Sequence, residues 1–288
     1  HVPVTQIRAP RDAASTFDEA LPVLPLQIEG FEALDIGTAY PPSAPAILES
    51  IQIATELCLA GSASAVVTNP IAKSVLYAAG FKHPGHTEFI AELCAQDGQA
   101  PPHPVMMLVG GGLRVSLATI HVPLMRVLEH LTEATLRDVA QTTDQALKRD
   151  FALQSPRIAF TGLNPHAGED GTIGTEARDL INPDAADLRA SGVNVSDARS
   201  ADTVFHEALH GQYDAVIAMT HDQGLIPVKT LDMWGGVNTT LGLPIIRTSP
   251  DHGTAFDAAK SGSCRSDSLI AALKLATLMA HNREQYDG

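Results

Sequence analysis

Short apolar runs alternate with segments of helical periodicity along most of the chain. The runs are rich in β-branched and aliphatic residues and predict buried strands over 64–68, 106–109, 114–120, 157–161 and 214–219. Apolar positions at helical spacing predict helices over 43–61, 69–80, 87–95, 132–149, 175–188, 202–210 and 266–281. Strands that alternate with helices in this way predict an α/β fold with mainly parallel sheets.

Polar residues and glycines mark where several of these elements begin or turn. Ser43, Thr87 and Thr132 stand where a helix N-cap is expected, and Pro70 suits the first position of a helix. The three glycines 110–112 lie between two predicted strands and lack the lysine and the following helix of a phosphate loop. They therefore predict a hairpin turn.

The composition fits a soluble globular protein with a large core and narrows its partners. The chain has 288 residues, 44% of them hydrophobic, and a formal net charge of −14 at pH 7. This charge disfavours nucleic acid and anionic membranes as partners, and an anionic ligand needs a locally basic pocket. Cys58, Cys94 and Cys264 form no disulfide-type pattern, and no apolar stretch reaches membrane-span length, so we expect a cytoplasmic protein. Residues 9–42 are rich in Pro, Ala and Asp and predict loops with short strands.

Three histidines lie at or just after the carboxyl ends of different predicted strands: His121, His166 and His221. Ligands of α/β proteins bind at this edge of the sheet, and three imidazoles at one point are typical of zinc or another first-row divalent metal. The pattern predicts either such a metal site or, because the chain has 12 His, three unconnected loop histidines. His206 and His210 share one face of a predicted helix without any strand end, which favours surface histidines.

Six sequence motifs give the chain a resemblance to a known family. They are GHTEF (85–89), ATIHVPL (118–124), GLNPHAGEDG (162–171), ADTVF (201–205), MTHDQGLIPVK (219–229) and GVNTTLGLPIIRTSPDHGTAFD (236–257). In this order they resemble the motifs of the 4-hydroxythreonine-4-phosphate dehydrogenases of vitamin B6 biosynthesis. The motifs extend over most of the chain from about residue 68 onward, and their combination is highly specific.

The resemblance implies two α/β/α domains with the cleft between them, as in the isocitrate and isopropylmalate dehydrogenases. We expect residues 1–80 and 260–288 to form the first domain. Residues 81–259 would form the second and carry most of the metal and substrate residues. The family's first strand and its Gly-Asp-Pro-Ala-Gly-Ile-Gly-Pro-Glu loop have no counterpart in this sequence, so we expect the first domain to lack that βα unit.

The resemblance also implies a reaction. The C3 hydroxyl of 4-phosphooxy-L-threonine would be oxidised with NAD, and the resulting β-keto acid would lose CO₂ to give 3-amino-2-oxopropyl phosphate. A divalent metal (Zn, Mg or Co) would be held by His121, His166 and His221, contributed by both subunits of a homodimer.

The substrate contacts that the resemblance implies are His86, Thr87, Lys229, Asn238 and Arg247. His86 and Thr87 begin a predicted helix, where free backbone N–H groups and the helix dipole attract anions. Two cations and an amide suit a phosphate and a carboxylate.

Two further residues are candidates for catalysis. Lys73 matches a lysine of the family and either contacts the substrate or is a solvated helix lysine. Asp222 either orients a metal ligand or accepts a proton, or it has a purely structural hydrogen bond.

The nicotinamide cofactor has its own motif. No G-x-G-x-x-G lies between a predicted strand and a predicted helix, which excludes a Rossmann-type dinucleotide-binding site. Residues 251–257 instead resemble the adenosine-binding loop of the isopropylmalate dehydrogenases, which implies cofactor contacts from His252, Gly253, Thr254, Ala255 and Asp257. Asp257 would meet the ribose hydroxyls and favour NAD over NADP, because it would repel a 2′-phosphate.

Two alternatives stay open at this point. The chain could be a dehydrogenase of another phosphorylated hydroxy acid, such as phospho-threonate or phospho-erythronate, or of a dihydrodiol. It could also be a metal- or ligand-binding protein without redox activity.

Overall fold

The computed structural model describes residues 2–27, 35–96 and 98–288. Its strands are β1 (Val4–Gln6), β2 (Leu21–Val23), β3 (Val66–Val67), β4 (Val105–Gly110), β5 (Leu113–Leu117), β6 (Ile158–Thr161), β7 (Val195–Arg199), β8 (Ala215–Ala218), β9 (Val237–Leu241) and β10 (Arg247–Pro250). Its α-helices are α1 (Ala13–Thr16), α2 (Ala44–Leu59), α3 (Lys73–Ala78), α4 (His86–Leu93), α5 (Val127–His130), α6 (Glu133–Arg149), α7 (Asn182–Ala190), α8 (Val204–Leu209), α9 (His221–Leu231), α10 (Phe256–Ser261) and α11 (Asp267–Asp287). Of the predicted loop region 9–42, residues 28–34 lie outside the described part, and the rest contains α1 and β2.

Eight strands form one mixed sheet in the order β3-β10-β9-β4-β5-β8-β6-β7. The pairs β5–β8, β6–β8, β6–β7 and β3–β10 are parallel. The pairs β4–β5, β4–β9 and β9–β10 are antiparallel. The predicted α/β class with a mostly parallel sheet is confirmed, and the predicted hairpin at 110–112 joins β4 to β5.

Helices cover both faces of this sheet because successive side chains of a central strand point to opposite sides. In β8, Ile217 packs into the core that contains residues of α6, α7 and α11, whereas Val216 and Ala218 pack into the core formed with α8 and α9. All three residues are fully buried. Burial on both faces explains why the sequence of this strand is apolar throughout rather than alternating.

Two helix starts differ from their predictions. Helix α3 begins at Lys73, after the N-cap Ala72, and not at Pro70. Helix α4 begins at His86 with Gly85 as its N-cap, so Thr87 lies inside the first turn and makes no capping bond. The prediction for Thr132 is confirmed, since its side chain accepts a hydrogen bond from the backbone of α6.

Helix α9 starts directly at His221, where the sequence predicted only the end of a strand. Thr220 and Gln223 form a capping box there, in which the Thr220 backbone N–H donates to the Gln223 side chain over 3.2 Å. Gly224 suits a close helix–sheet contact, because a Cβ at this position would lie 2.5 Å from Leu117 Cδ2. Gly224 and Pro227 both disfavour helix in isolation, so tertiary packing overrides propensity here.

The division into two domains at residues 80 and 260 stays a prediction. The edge strand β3 of the predicted first domain pairs with β10 of the predicted second domain, so the eight-stranded sheet is continuous across the boundary. Within the described residues, no helix has the length and apolar character needed to cross a membrane.

Candidate active site

A cleft made of two joined cavities, of about 460 and 480 Å³, carries most of the predicted site residues. The sheet contributes Asn238 and Arg247, and the segment after β5 contributes His121. Helix α4 contributes His86 at its first turn. Helix α9 lines the cleft with residues at i, i+4 and i+8, so that one helix face places several side chains along it. These α9 residues are His221, Leu225 and Lys229.

His121 and His221 lie side by side, with ring centroids 5.4 Å apart. His221 Nδ1 is 2.8 Å from Asp222 Oδ1, which leaves His221 Nε2 for another partner. Burial lowers the pKa of His121, and the charges of His221 and Lys73 lower it further. A metal binds the neutral form of an imidazole, which is the form that the lowered pKa of His121 favours. A carboxylate bonded to one ring nitrogen, as Asp222 is to that of His221, orients the other nitrogen for a metal.

His166 lies apart from this pair, in a backbone segment of unusual handedness. His166, Ala167, Glu169 and Asp170 all have φ between 43° and 53°, which costs non-glycine residues about 1–2 kcal/mol each. The segment folds back closely over Gly162, where a Cβ would lie 2.6 Å from Ala167 Cα. Such a run of strained residues indicates that the loop's shape is functionally constrained.

The His166 side chain points to solvent rather than into the cleft. It is 62% exposed, and its Nδ1 lies 3.9 Å from Asp202 Oδ2. In the part of the chain that the structure describes, no three His, Cys, Asp or Glu side chains gather in a way that could hold a metal ion. A single chain therefore brings together two of the three predicted metal ligands.

Arg247 is the basic centre of the cleft. It is only 4% exposed, and its guanidinium donates to Thr68 Oγ1 over 2.8 Å and to Thr240 Oγ1 over 3.1 Å. Within the described ranges no carboxylate pairs with it, and both its Nε and the Oδ1 of Asn238 are buried without a partner. Burial lowers the pKa of Arg247 to about 10, so it remains charged at neutral pH. Buried charges without counter-ions are rare in proteins, so this one indicates an anionic ligand.

The first turn of α4 faces the same cavity with His86 and Thr87. Burial lowers the pKa of His86 to about 4, and the nearby positive charge of Arg247 adds to this effect. His86 is therefore neutral at physiological pH, and it contributes a hydrogen bond rather than a charge to an anion at the helix N-terminus.

In the unliganded protein we expect the His86 imidazole to titrate near pH 4, which NMR of the ring protons measures. Its pKa in the folded state lies below the ordinary value of 6.5, so the unfolded state takes up the proton first. Its contribution to stability is therefore present above about pH 6.5 and is lost as the pH falls towards 4. A His86→Asn variant identifies the resonance, and a midpoint above pH 6 would contradict this prediction.

Lys229 reaches the cleft with its charge already paired. Its Nζ lies 2.5 Å from Asp251 Oδ2 and 3.4 Å from the Asp251 backbone carbonyl. The Asp251 backbone N–H in turn donates to Ser268 Oγ of α11, which fixes the position of this acid. Lys229 is thus held in place by the residue that follows β10.

The side chains of Lys73 and Glu88 both pass close to Gly85 at the cleft. A Cβ on Gly85 would lie 3.6 Å from Glu88 Oε2 and 3.9 Å from Lys73 Nζ. Both residues line the cavity beside His121. Sequence reasoning singled out Lys73 but missed Glu88, although Glu88 directly follows His86 and Thr87 in the same motif. Thr68, Thr240 and Asp251 were also missed; Thr68 and Asp251 directly follow β3 and β10, and Thr240 lies within β9.

The predicted cofactor loop borders the cleft at its other side. His252 and Gly253 line the 480 Å³ cavity, and Thr254 lines an adjoining cavity of about 650 Å³. Ala255 adopts a left-handed conformation (φ 49°) that turns the chain into α10, and Asp257 lies exposed in the first turn of that helix. Of the described residues of this loop, Ala255 and Asp257 line neither cavity.

Comparison with known proteins places this geometry in a family. The family model of the pyridoxal phosphate biosynthetic protein PdxA matches residues 1–276. The 4-hydroxythreonine-4-phosphate dehydrogenases of Maricaulis maris and Methylorubrum extorquens (strain PA1) are each 52% identical, over 95% and 97% of this chain and 80% of their own lengths.

Solved structures show the same relationship. The 4-hydroxythreonine-4-phosphate dehydrogenase of Klebsiella pneumoniae superposes with a TM-score of 0.87 at 38% identity, over 97% of this chain and 84% of its own. A terephthalate 1,2-cis-dihydrodiol dehydrogenase from Burkholderia xenovorans superposes with a TM-score of 0.66 at 27% identity, over 96% of this chain and 82% of its own. With a family model and close relatives that span almost all of its length, the chain belongs to the family of the pyridoxal phosphate biosynthetic protein PdxA.

Proposed function

We propose that this protein is an NAD-dependent 4-hydroxythreonine-4-phosphate dehydrogenase. It oxidises the C3 hydroxyl of 4-phosphooxy-L-threonine and releases CO₂ to form 3-amino-2-oxopropyl phosphate. The single observation that carries the proposal is the buried guanidinium of Arg247, which has no carboxylate partner among the described residues and lies in one cleft with a pair of histidines. A phosphate or carboxylate supplies the missing counter-charge, and the relatives' names supply a substrate that carries both groups.

The anions of the substrate bind at the basic side of the cleft. Arg247 keeps its Nε free to donate to an anion, and the amide group of Asn238 lines the same cavities. The N-terminus of α4 adds the backbone N–H groups near His86 and Thr87, which favour a phosphate. Lys229 provides a second cation, already held by Asp251.

The hydroxyl that reacts belongs at the histidine side of the cleft. His121 and His221 offer two imidazoles with ring centroids 5.4 Å apart, and the hydrogen bond that Asp222 accepts orients His221. This donor set fits a divalent cation such as Zn or Co, and Mg where substrate oxygens complete the site. Such a cation would supply a Lewis acid that lowers the pKa of the hydroxyl and favours the loss of CO₂. Asp222 is 78% exposed and acts through His221 rather than on the substrate.

His166 of a second subunit completes the metal site in this proposal. Two of the predicted ligands lie together in one chain, and the exposed His166 projects from a strained loop that does not line the cleft of its own chain. A homodimer in which each subunit contributes its His166 to the metal site of the other accounts for both observations. An isolated monomer is then inactive.

Lys73 supplies the proton that the second half of the reaction needs. Loss of CO₂ from a β-keto acid leaves a carbon that must take up a proton. The Lys73 ammonium makes no hydrogen bond or ion pair within the described ranges and lies on the His121 side of the cleft. We assign the proton transfer to its Nζ.

NAD binds along the loop after β10 in this proposal. His252 and Gly253 border the substrate cleft, and Thr254 leads into the adjoining 650 Å³ cavity, so a ligand can extend from one into the other. When bound there, NAD would supply the acceptor for the hydride that leaves C3. Asp257 lies exposed at the start of α10, where it is accessible to a ribose, and its charge disfavours the 2′-phosphate of NADP.

A turnover assay tests the proposed function. Metal-stripped protein receives NAD and 4-phosphooxy-L-threonine, with or without Zn²⁺, Co²⁺ or Mg²⁺, and NADH is followed by its absorbance. We expect NADH only when metal is added. A panel with phospho-threonate, phospho-erythronate and a terephthalate dihydrodiol runs in parallel, and faster turnover of one of these would replace the proposed substrate. If no substrate gave NADH, the alternative of a ligand-binding protein without redox activity would replace the proposed function.

A further inference from the structure

The basic cleft contains one carboxylate that the proposed reaction does not use. Of the described residues that line its two joined cavities, Glu88 and Asp251 are the acids. Asp251 is neutralised by its ion pair with Lys229. The Glu88 carboxylate makes no hydrogen bond and no ion pair anywhere in the described part of the chain.

Glu88 lines the cavity that also contains His121 and Arg247. Burial lowers the pKa of both His121 and Arg247, and in each case the negative charge of Glu88 opposes that effect. It does not form a three-ligand metal cluster with the described histidines. Because Glu88 lines the same 460 Å³ cavity as His121 and Arg247, a ligand that fills this cavity meets its carboxylate.

The chemistry of the proposed substrate has one group still without a partner. 4-Phosphooxy-L-threonine carries a phosphate, a carboxylate and an α-ammonium group. The cations and the α4 N-terminus serve the two anions, and none of them can accept a hydrogen bond from an ammonium. Asn238 Oδ1 is a free acceptor in the cleft but carries no charge, whereas the unpaired carboxylate of Glu88 can both accept the hydrogen bond and neutralise the ammonium.

We propose that Glu88 determines substrate specificity by binding the α-ammonium group of an amino-acid substrate and disfavouring the hydroxy acid that carries a hydroxyl there. This inference rests on the proposed function. The hydroxy acid lacks the compensating positive charge and leaves Glu88 unpaired beside a more anionic ligand. Selectivity then comes from attraction of one substrate together with repulsion of the other.

A distant counter-charge for Arg247 is the competing role for Glu88, and it makes a different prediction. In that role Glu88 tunes the binding of every anion equally, whatever group the substrate has at C2. The ratio of the two substrates' kcat/KM values therefore separates the two roles.

The test compares Glu88→Gln with wild type in metal-loaded, NAD-saturated protein. The substrates are 4-phosphooxy-L-threonine and phospho-threonate, in which a hydroxyl replaces the amino group. We expect kcat/KM for the amino acid to fall about 10- to 100-fold, the value of a lost charged hydrogen bond, while kcat/KM for the hydroxy acid stays level or rises. Glu92→Gln is the matched control on the same helix, since Glu92 is 61% exposed, pairs with His83 and lies outside the cleft.

An equal change for both substrates, or no change for either, would overturn the specificity role. Calorimetric measurement of the binding of the same two ligands tests the inference separately from the proposed function, because it requires no turnover. If wild type prefers the amino acid in binding and Glu88→Gln loses that preference, the inference stands even without turnover. If wild type binds neither ligand, both the inference and the proposed function fall.

Discussion

Arg247→Met will lower kcat/KM for a phosphorylated substrate by about 100- to 1,000-fold, because it removes a buried charge that pairs with the substrate anion. The same change will leave the free energy of unfolding of the unliganded protein within about 1 kcal/mol of wild type. In the free protein the guanidinium is desolvated without a counter-ion, so a methionine of similar length relieves that penalty while it loses two hydroxyl hydrogen bonds. Steady-state kinetics and denaturant unfolding measure the two quantities.

Arg114→Met is the matched control for this prediction. Arg114 is also partly buried with an unpartnered Nε, but it stacks on Phe151 and lies outside the cleft. We expect its loss to affect stability and to leave KM unchanged. If kcat/KM survives Arg247→Met, Arg247 is not the anion site, and the main support for a phosphorylated substrate is removed.

His221→Ala will reduce metal-dependent turnover by about 1,000-fold or more, since a bound metal contributes several kcal/mol to such a transition state. Metal content of the purified variant, measured by elemental analysis, will fall with it. His206→Ala is the control, because His206 stacks on His210 on the surface helix α8, away from the cleft. Equal metal content in His221→Ala and wild type would contradict the metal assignment.

Mixing inactive variants tests the origin of the third ligand. His166→Ala and His221→Ala are each inactive alone, but a mixed dimer contains one site with all three histidines intact. After subunit exchange we expect roughly a quarter of wild-type activity, because half of the dimers are mixed and each has one working site of two. No recovery in a mixture that demonstrably forms mixed dimers would place all metal ligands in one chain.

Much of the fold could be predicted because its signals are local. Apolar runs identified strands such as β8 and β5, and periodicity with a capping threonine identified α6. Helix α9 could not be found in this way, since Gly224 and Pro227 weaken the helical signal that Thr220 and packing against Leu117 restore. The predicted domain boundary depends on the family resemblance alone. The eight-stranded sheet runs across this boundary and does not test it.

The residues of the candidate site likewise include some that the sequence could predict and some features that it could not. Sequence pattern alone placed His121 and His221 just after two predicted strands, which are adjacent and parallel in the structure. Arg247 and Asn238 were identified only through the family motifs, and they lie on the neighbouring antiparallel strands β10 and β9. Residues that follow adjacent parallel strands meet at the same edge of the sheet, so the order of the strands along the sequence is enough to predict that they lie together.

Only the tertiary structure decided which of these groups have partners. Among the described residues Arg247 has no ion pair with an acid and donates to Thr68, which is 179 positions away, whereas Lys229 is paired with Asp251. Glu88 lines the same cavity as His121 and Arg247 without an ion pair to any described residue, and His166 points to solvent. The physical reason is that electrostatic pairing depends on distances of a few ångströms between residues remote in sequence, and local periodicity carries no information about those distances.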